Sequence, residues 1–76
     1  MNAARIGKSS RLKRVARFLK DGKPHTTMEI VQGAAVCAVN SIIAELRENG
    51  FKIHCWRIGD NWYCQLISGK HLIPKG

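Results

Sequence analysis

The chain has few acidic side chains. Only 5 Asp and Glu residues stand against 13 Lys and Arg, which gives a formal net charge of +8 at pH 7. A field of this sign attracts polyanions, nucleic acid first and an anionic membrane surface second. The acids are also dispersed, and neither a nucleophile-base set nor a Gly-rich phosphate loop stands at motif spacing. We therefore expect a protein that is not an enzyme and has no catalytic residues.

Long hydrophobic runs are also missing. No apolar stretch approaches the roughly 20 residues of a membrane span. Residues 1–10 are polar and lack the apolar segment of a signal peptide. The sequence therefore predicts a cytoplasmic protein with no membrane partner.

Cysteine and histidine are too sparse for a disulfide framework or a compact metal site. The cysteines are odd in number, and no Cys-x-x-Cys spacing occurs. No Cys or His pair has the usual spacing of a zinc ligand pair. We expect no metal or other cofactor, and we expect the cysteines to be small buried hydrophobic residues. The residues concerned are Cys37, Cys55, Cys64, His25, His54 and His71.

The first half of the chain predicts a basic arm, residues 1–8, followed by two helices. Ser9 or Ser10 can cap the first helix, and Gly22 and Pro24 end it. The spacing of Thr26 and Glu29 is that of a capping box, which predicts a second helix over about residues 27–32 after a short extended piece. Apolar residues at i, i+3, i+4 and i+7 form one stripe on the first helix: Leu12, Val15, Ala16 and Leu19.

Gly33 is expected to interrupt this helical run, because glycine allows a sharp turn. A third helix is predicted from about Ala34 or Ala35 to Asn49. Gly50 suits the left-handed residue that follows a helix, and the next residue, a phenylalanine, can pack back on the helix end. The expected buried residues are Val36, Val39, Ile42, Ile43 and Leu46.

The remainder of the chain predicts a β-hairpin. Residues 52–58 and 62–67 are rich in β-branched and aromatic side chains, and residues 59–61 are typical of a turn. The sequence leaves the pairing register of the two strands open by one residue. Trp62 is expected in the core. Residues 69–76 are expected to form a short tail. The preferred register places Ile53, Cys55, Cys64 and Leu66 on one face, and His54, Trp56, Tyr63 and Gln65 on the other.

This order predicts an α+β winged helix-turn-helix domain over residues 9–68, with three helices followed by a β-hairpin wing. Residues 15–20 (VARFLK), 26–30 (TTMEI) and 42–51 (IIAELRENGF) resemble the small winged helix-turn-helix domains of bacteriophages and prophages. The resemblance spans residues 14–51. It implies sequence-specific binding of double-stranded DNA in transcriptional control within a bacterial host cell, although fold alone does not establish function.

Positive charge is concentrated near the N-terminus. Eight of the 13 basic residues fall between Arg5 and Lys23, and only Asp21 opposes them. On the first helix the basic residues avoid the apolar stripe, which favours contact with phosphates; the alternative is a solvated helix face. The residues predicted to contact phosphate are Lys8, Arg11, Lys13, Arg14, Thr26 and Thr27.

The third helix is the expected reader of bases. Asn40 can bond bidentately to adenine, and Ser41 can contact several bases. The alternative is that both side chains simply face solvent. The predicted start of this helix, residues 34–38, lacks Arg, Lys and Gln and therefore offers little hydrogen-bond readout. The predicted major-groove residues are Cys37, Ala38, Asn40, Ser41 and Arg47.

The predicted wing supplies Lys52, Trp56 and Arg57 for phosphate or minor-groove contact. Trp56 and Tyr63 leave two other functions open, a docking surface for a protein partner and the stacking of single-stranded bases. A non-specific, architectural binder of nucleic acid is a further alternative. We expect a monomer in free solution, or a dimer induced by DNA.

Overall fold

The computed structural model describes residues 9–74 and has an α+β architecture compatible with a winged-helix layout. The predicted basic arm, with Lys8, and residues 75–76 lie outside the described residues. The elements are α1 Ser10–Leu19, β1 His25–Thr26, α2 Thr27–Ala34, α3 Val39–Glu48, β2 Lys52–Ile58 and β3 Asn61–Ser68, followed by a 3-10 turn at Lys70–Leu72.

Two side-chain caps start the first two helices as predicted. The Ser9 hydroxyl accepts a hydrogen bond from the Leu12 amide at 3.4 Å, at the N-terminus of α1. At α2, the Thr26 amide donates to Glu29 Oε1 at 2.7 Å, and the Glu29 amide donates to Thr26 Oγ1 at 3.1 Å. These bonds satisfy amides that a helix N-terminus otherwise leaves unpaired. The predicted apolar stripe of α1 is fully buried.

Gly33 does not end the second helix, so that prediction is wrong. The helix continues through it to Ala34. The ring of Phe18 on α1 lies against Gly33, and a Cβ atom there would stand 2.1 Å from Phe18 Cε1. The glycine therefore allows α1 and α2 to approach closely, rather than allowing the chain to turn.

The turn between α2 and α3, residues 35–38, replaces the predicted first turn of the third helix. Ala35 and Ala38 both adopt the left-handed conformation, with φ of 54° and 53°, so α3 begins only at Val39. An L-residue adopts this conformation at a cost of about 1–2 kcal/mol. Burial of Val36 opposes that cost, and so do hydrogen bonds from Arg14 to the carbonyl oxygens of Ala34 and Ala35.

The end of α3 forms as predicted. Gly50 is left-handed, with φ of 99°, and the Phe51 amide donates to the Leu46 carbonyl at 3.1 Å. This six-to-one bond closes the helix end, and the Phe51 ring is buried against it.

The sheet contains three antiparallel strands in the order β1-β3-β2. Cys55 lies opposite Cys64, and Trp56 lies opposite Tyr63, which confirms the predicted faces of the hairpin. The turn itself is only Gly59 and Asp60, because the next residue already belongs to β3. We call this β2–β3 hairpin the wing.

Two predictions about burial are wrong. Trp62 is 49% exposed, because it lies next to the hairpin turn, at the end of the wing. Cys37 is exposed in the α2–α3 turn, whereas Cys64 is buried and Cys55 is partly buried. The core consists of apolar residues from all three helices and from the inner face of the sheet.

Within residues 9–74 no single helix is long and apolar enough to cross a membrane. Taken together, α2 and α3 have the length and composition of a membrane span, but they are bent by 85°.

Candidate nucleic-acid interface

An open groove of about 780 Å³ lies between α2, the beginning of α3 and the inner face of the wing. It brings together four of the five predicted major-groove residues and one predicted phosphate contact. Cys37 is the exception among the major-groove residues, since it is exposed in the turn. The groove residues are Thr27, Val31, Ala38, Val39, Asn40, Ser41, Ile43, Arg47, Cys55, Trp62 and Cys64.

The first turn of α3 presents short polar side chains to this groove. Asn40 and Ser41 are both exposed, and Ala44 lies one turn beyond Asn40 on the same helix face. The first turn contains no acidic residue. Small uncharged side chains at this position permit a close approach of the helix to another molecule. Cys37 and Ala38 were predicted on this helix but lie in the turn before it.

Arg47 is held within the chain. Its Nε and Nη2 atoms donate to the Ile53 carbonyl oxygen at 3.2 and 2.7 Å, and Nη2 lies 3.7 Å from Cys55 Sγ. These contacts connect the last turn of α3 to β2. A base contact by Arg47 stays a prediction, and such a contact would compete with these bonds.

The wing offers a different aromatic side chain from the one predicted. Arg57 lies directly opposite Trp62, and this pair shares the groove-facing side of the hairpin with Cys55. Arg57 is exposed. Strand alternation already places residue 62 on the same face as Cys64. Its position next to the turn is the signal that the helices do not cover it.

The predicted aromatic contact, Trp56, lies on the opposite face of the sheet. Its ring stacks between His54 and Tyr63, with centroid distances of 5.2 and 5.9 Å. Lys52 lies at the other end of β2 from Arg57. Four residues of strand lie between them, and their Cα atoms are roughly 17 Å apart. The structure therefore does not bring the three predicted wing residues together.

The arginines of α1 brace the helices. Arg14 Nε donates to the Ala34 carbonyl at 2.8 Å, and its guanidinium also reaches the Ser10 hydroxyl. Arg11 pairs with Glu45 on α3 at 3.8 Å. Lys13 is partly buried. Phosphate contact by Arg11, Lys13 and Arg14 stays a prediction. To contact a phosphate, the two arginines would have to give up these intramolecular partners.

The charges around the groove are uneven. The Glu29 carboxylate accepts a hydrogen bond from the Thr26 backbone amide in the capping box of α2. This bond holds the pKa of Glu29 below its ordinary value of 4.5. Thr26 is engaged in the same cap, whereas Thr27 lines the groove. Glu48 is exposed on the last turn of α3. The first turn of α3 therefore carries no charged side chain, whereas its last turn carries charges of both signs.

Among residues 9–74, no three His, Cys, Asp or Glu side chains form a group that could hold a metal ion. Comparison with protein-family models, curated proteins and solved structures finds no match for this chain.

Proposed function

We propose that this chain is a non-enzymatic, cytoplasmic winged helix-turn-helix protein that binds double-stranded DNA, as a transcriptional regulator of the phage type. The first turn of α3 enters the major groove, where Asn40 and Ser41 contact base edges. Arg57 at the end of the wing contacts phosphate or the minor groove. The observation that carries the proposal is the exposure of Asn40 and Ser41 along a groove that Trp62, the cross-strand partner of the exposed Arg57, also lines.

The arrangement of α2 and α3 supports this proposal. Residues 35–38 join the two helices, which are bent by 85°. Helix-turn-helix motifs use a turn of three or four residues and cross at about 90–120°. In that motif the second helix lies in the major groove, and its N-terminal residues contact base edges. The exposed first turn of α3 corresponds to those residues.

The net charge of +8 supports the choice of a polyanion as partner. Basic side chains that contact phosphates release counterions, so the affinity falls as the salt concentration rises. The chain binds as a monomer, or as a dimer that forms on the DNA.

The test compares Arg57→Gln with Lys70→Gln in a salt series of duplex binding, followed by fluorescence anisotropy. Both residues are exposed, and each change removes one positive charge. Arg57 lies opposite the groove residue Trp62 on the wing, whereas Lys70 lies in the 3-10 turn after β3. We expect Arg57→Gln to weaken binding and to reduce the salt slope by about 1, whereas Lys70→Gln has a much smaller effect. Equal effects of the two changes, or no duplex binding at low salt, would contradict the proposal.

A second candidate function is the docking of a protein partner in the same groove. Val31 is 36% exposed and faces the same groove as the half-exposed Trp62, so the groove offers an apolar surface. This function predicts that the folded chain binds no duplex at low salt. It also predicts that Trp62→Ala abolishes partner binding and that Arg57→Gln leaves it intact.

A further inference from the structure

The two cysteines of the wing face each other across the hairpin. Cys55 pairs with Cys64, and their Sγ atoms lie 2.7 Å apart as free thiols. Counted from the two-residue turn, the alternation of pair types makes this a non-hydrogen-bonded pair, in which the Cα atoms stand about 4.5 Å apart. Disulfides span Cα separations of about 4.4–6.8 Å. A bond between the two sulfurs therefore requires little movement of the backbone.

The two thiols differ in their access to solvent. Cys64 is 3% exposed, and burial raises the pKa of its thiol to about 12, with a contribution from the neighbouring Cys55. Cys55 is only partly buried and lies 3.7 Å from the Arg47 guanidinium. A small disulfide from solvent therefore reaches the Cys55 sulfur more readily than the buried Cys64 sulfur. The geometry therefore assigns Cys55 as the thiol that attacks the oxidant and Cys64 as the resolving thiol.

We propose that Cys55 and Cys64 form a redox modification site that accepts a low-molecular-weight disulfide as its oxidant. Cys55 loses its proton to solvent and attacks one sulfur of that disulfide, which forms a mixed disulfide and releases one small thiol. Cys64 then attacks the Cys55 sulfur, which forms the Cys55–Cys64 bond and breaks the mixed disulfide, and the proton of Cys64 ends on the second small thiol as it leaves. Two protein thiols are oxidised, and the small disulfide is reduced to two thiols.

Two features of the site favour the second step. The resolving sulfur is already in contact with the sulfur that it must attack, so the step is intramolecular and has a high effective concentration. Both side chains also line the groove, so oxidation changes the wall that faces α3. Disulfides that form reversibly in reducing compartments typically act in catalysis or redox sensing.

The test uses oxidised glutathione and the full chain with Cys37→Ser, which removes the exposed competing thiol. After exposure, the remaining thiols are alkylated and the products are mapped by mass spectrometry. We expect one intramolecular disulfide and the loss of both free thiols, reversed by reduced glutathione. Adding Cys64→Ala traps glutathione on Cys55. Adding Cys55→Ala instead leaves the buried Cys64 free of glutathione.

Circular dichroism establishes that each variant is folded, and Cys64→Ser replaces Cys64→Ala if the alanine variant is not. The proposal is overturned if both thiols of the folded chain remain free, or if glutathione stays attached without forming the bridge. It is also overturned if Cys64 reacts before Cys55. Because the readout is mass, failure here is distinct from failure to bind DNA.

Discussion

Gly33 decides how closely α1 and α2 can pack. In an ordinary helix interior, replacing glycine by alanine stabilises a protein by up to about 1 kcal/mol. Here the new Cβ would stand 2.1 Å from Phe18 Cε1. We therefore expect Gly33→Ala to lower the free energy of unfolding by about 1–3 kcal/mol, as overpacking does. Urea denaturation measures this change.

The control for this prediction is the same substitution in a Phe18→Leu background. A smaller, more flexible side chain leaves room for the Cβ, so the cost of Gly33→Ala should shrink or change sign. Such non-additivity is the signature of residues in direct contact. An identical cost in both backgrounds would show that contact with Phe18 is not the cause of the destabilisation.

Arg14 has a similar structural role at the α2–α3 turn. Its guanidinium donates hydrogen bonds to the carbonyl oxygens of Ala34 and Ala35, where the chain enters a left-handed conformation. Hydrogen bonds to charged groups contribute about 1.5–3 kcal/mol. We expect Arg14→Gln to lower the free energy of unfolding by about 1 kcal/mol or more in a urea titration.

Lys20→Gln is the matched control for Arg14→Gln, because it removes one exposed positive charge from the C-terminal end of α1. It should leave stability almost unchanged. If the two variants were equally stable, the bonds to the turn would have no net effect on folding.

At the scale of elements, the start of α2 depends on the ionised form of Glu29. The pKa of this carboxyl is lowered in the folded chain by the Thr26 amide, so its stabilising contribution is present above the unfolded pKa. The contribution is lost as the pH falls below the ordinary value of 4.5 and through the folded pKa. We expect Glu29→Gln to destabilise the chain at pH 7, and the difference from the wild type to vanish at acid pH. Urea titrations at several pH values measure the difference.

Glu48→Gln, a change on the exposed face of α3, is the control and should produce no such convergence. A difference between Glu29→Gln and wild type that stays constant down to acid pH would show that the carboxylate is not part of the cap.

Elements that depend on local signals were predictable from the sequence. The apolar stripe of α1, the capping box of α2 and the Gly50 ending of α3 each rest on a few neighbouring residues, and all three are confirmed. The faces of the hairpin were also predictable, because the side-chain period of a strand is two. These signals suffice for the order of the elements.

The beginning of α3 and the groove were not predictable from the same signals. Ala35 and Ala38 carry no mark of a left-handed conformation, since alanine strongly favours a right-handed helix. The turn depends instead on distant contacts, from Val36 to the core and from Arg14 to the end of α2. The exposure of Trp62 likewise depends on where the helices end, and within the sequence only its position next to the turn indicates it.

At the scale of the whole molecule, α1 stabilises a surface that other elements form. The α1 arginines bind α2, α3 and the carbonyl oxygen of Pro74, while the groove belongs to α2, α3 and the wing. Substitutions in α1 should therefore change the proposed affinity for DNA partly by shifting α2 and α3, which line the groove. Charge reversal at Arg14 should reduce both stability and binding, whereas Arg57→Gln should reduce binding alone. Urea denaturation and fluorescence anisotropy of both variants measure these effects.

In vitro selection from a random duplex library, with the full chain and with Asn40→Ala, tests the proposed function most directly. We predict that the wild-type chain enriches a short recurring sequence. Asn40→Ala should retain general affinity but lose preference at one position, by about 1–3 kcal/mol. A folded wild-type chain that enriches no duplex, or an Asn40→Ala variant that enriches the same sequence equally well, would contradict base reading by the first turn of α3.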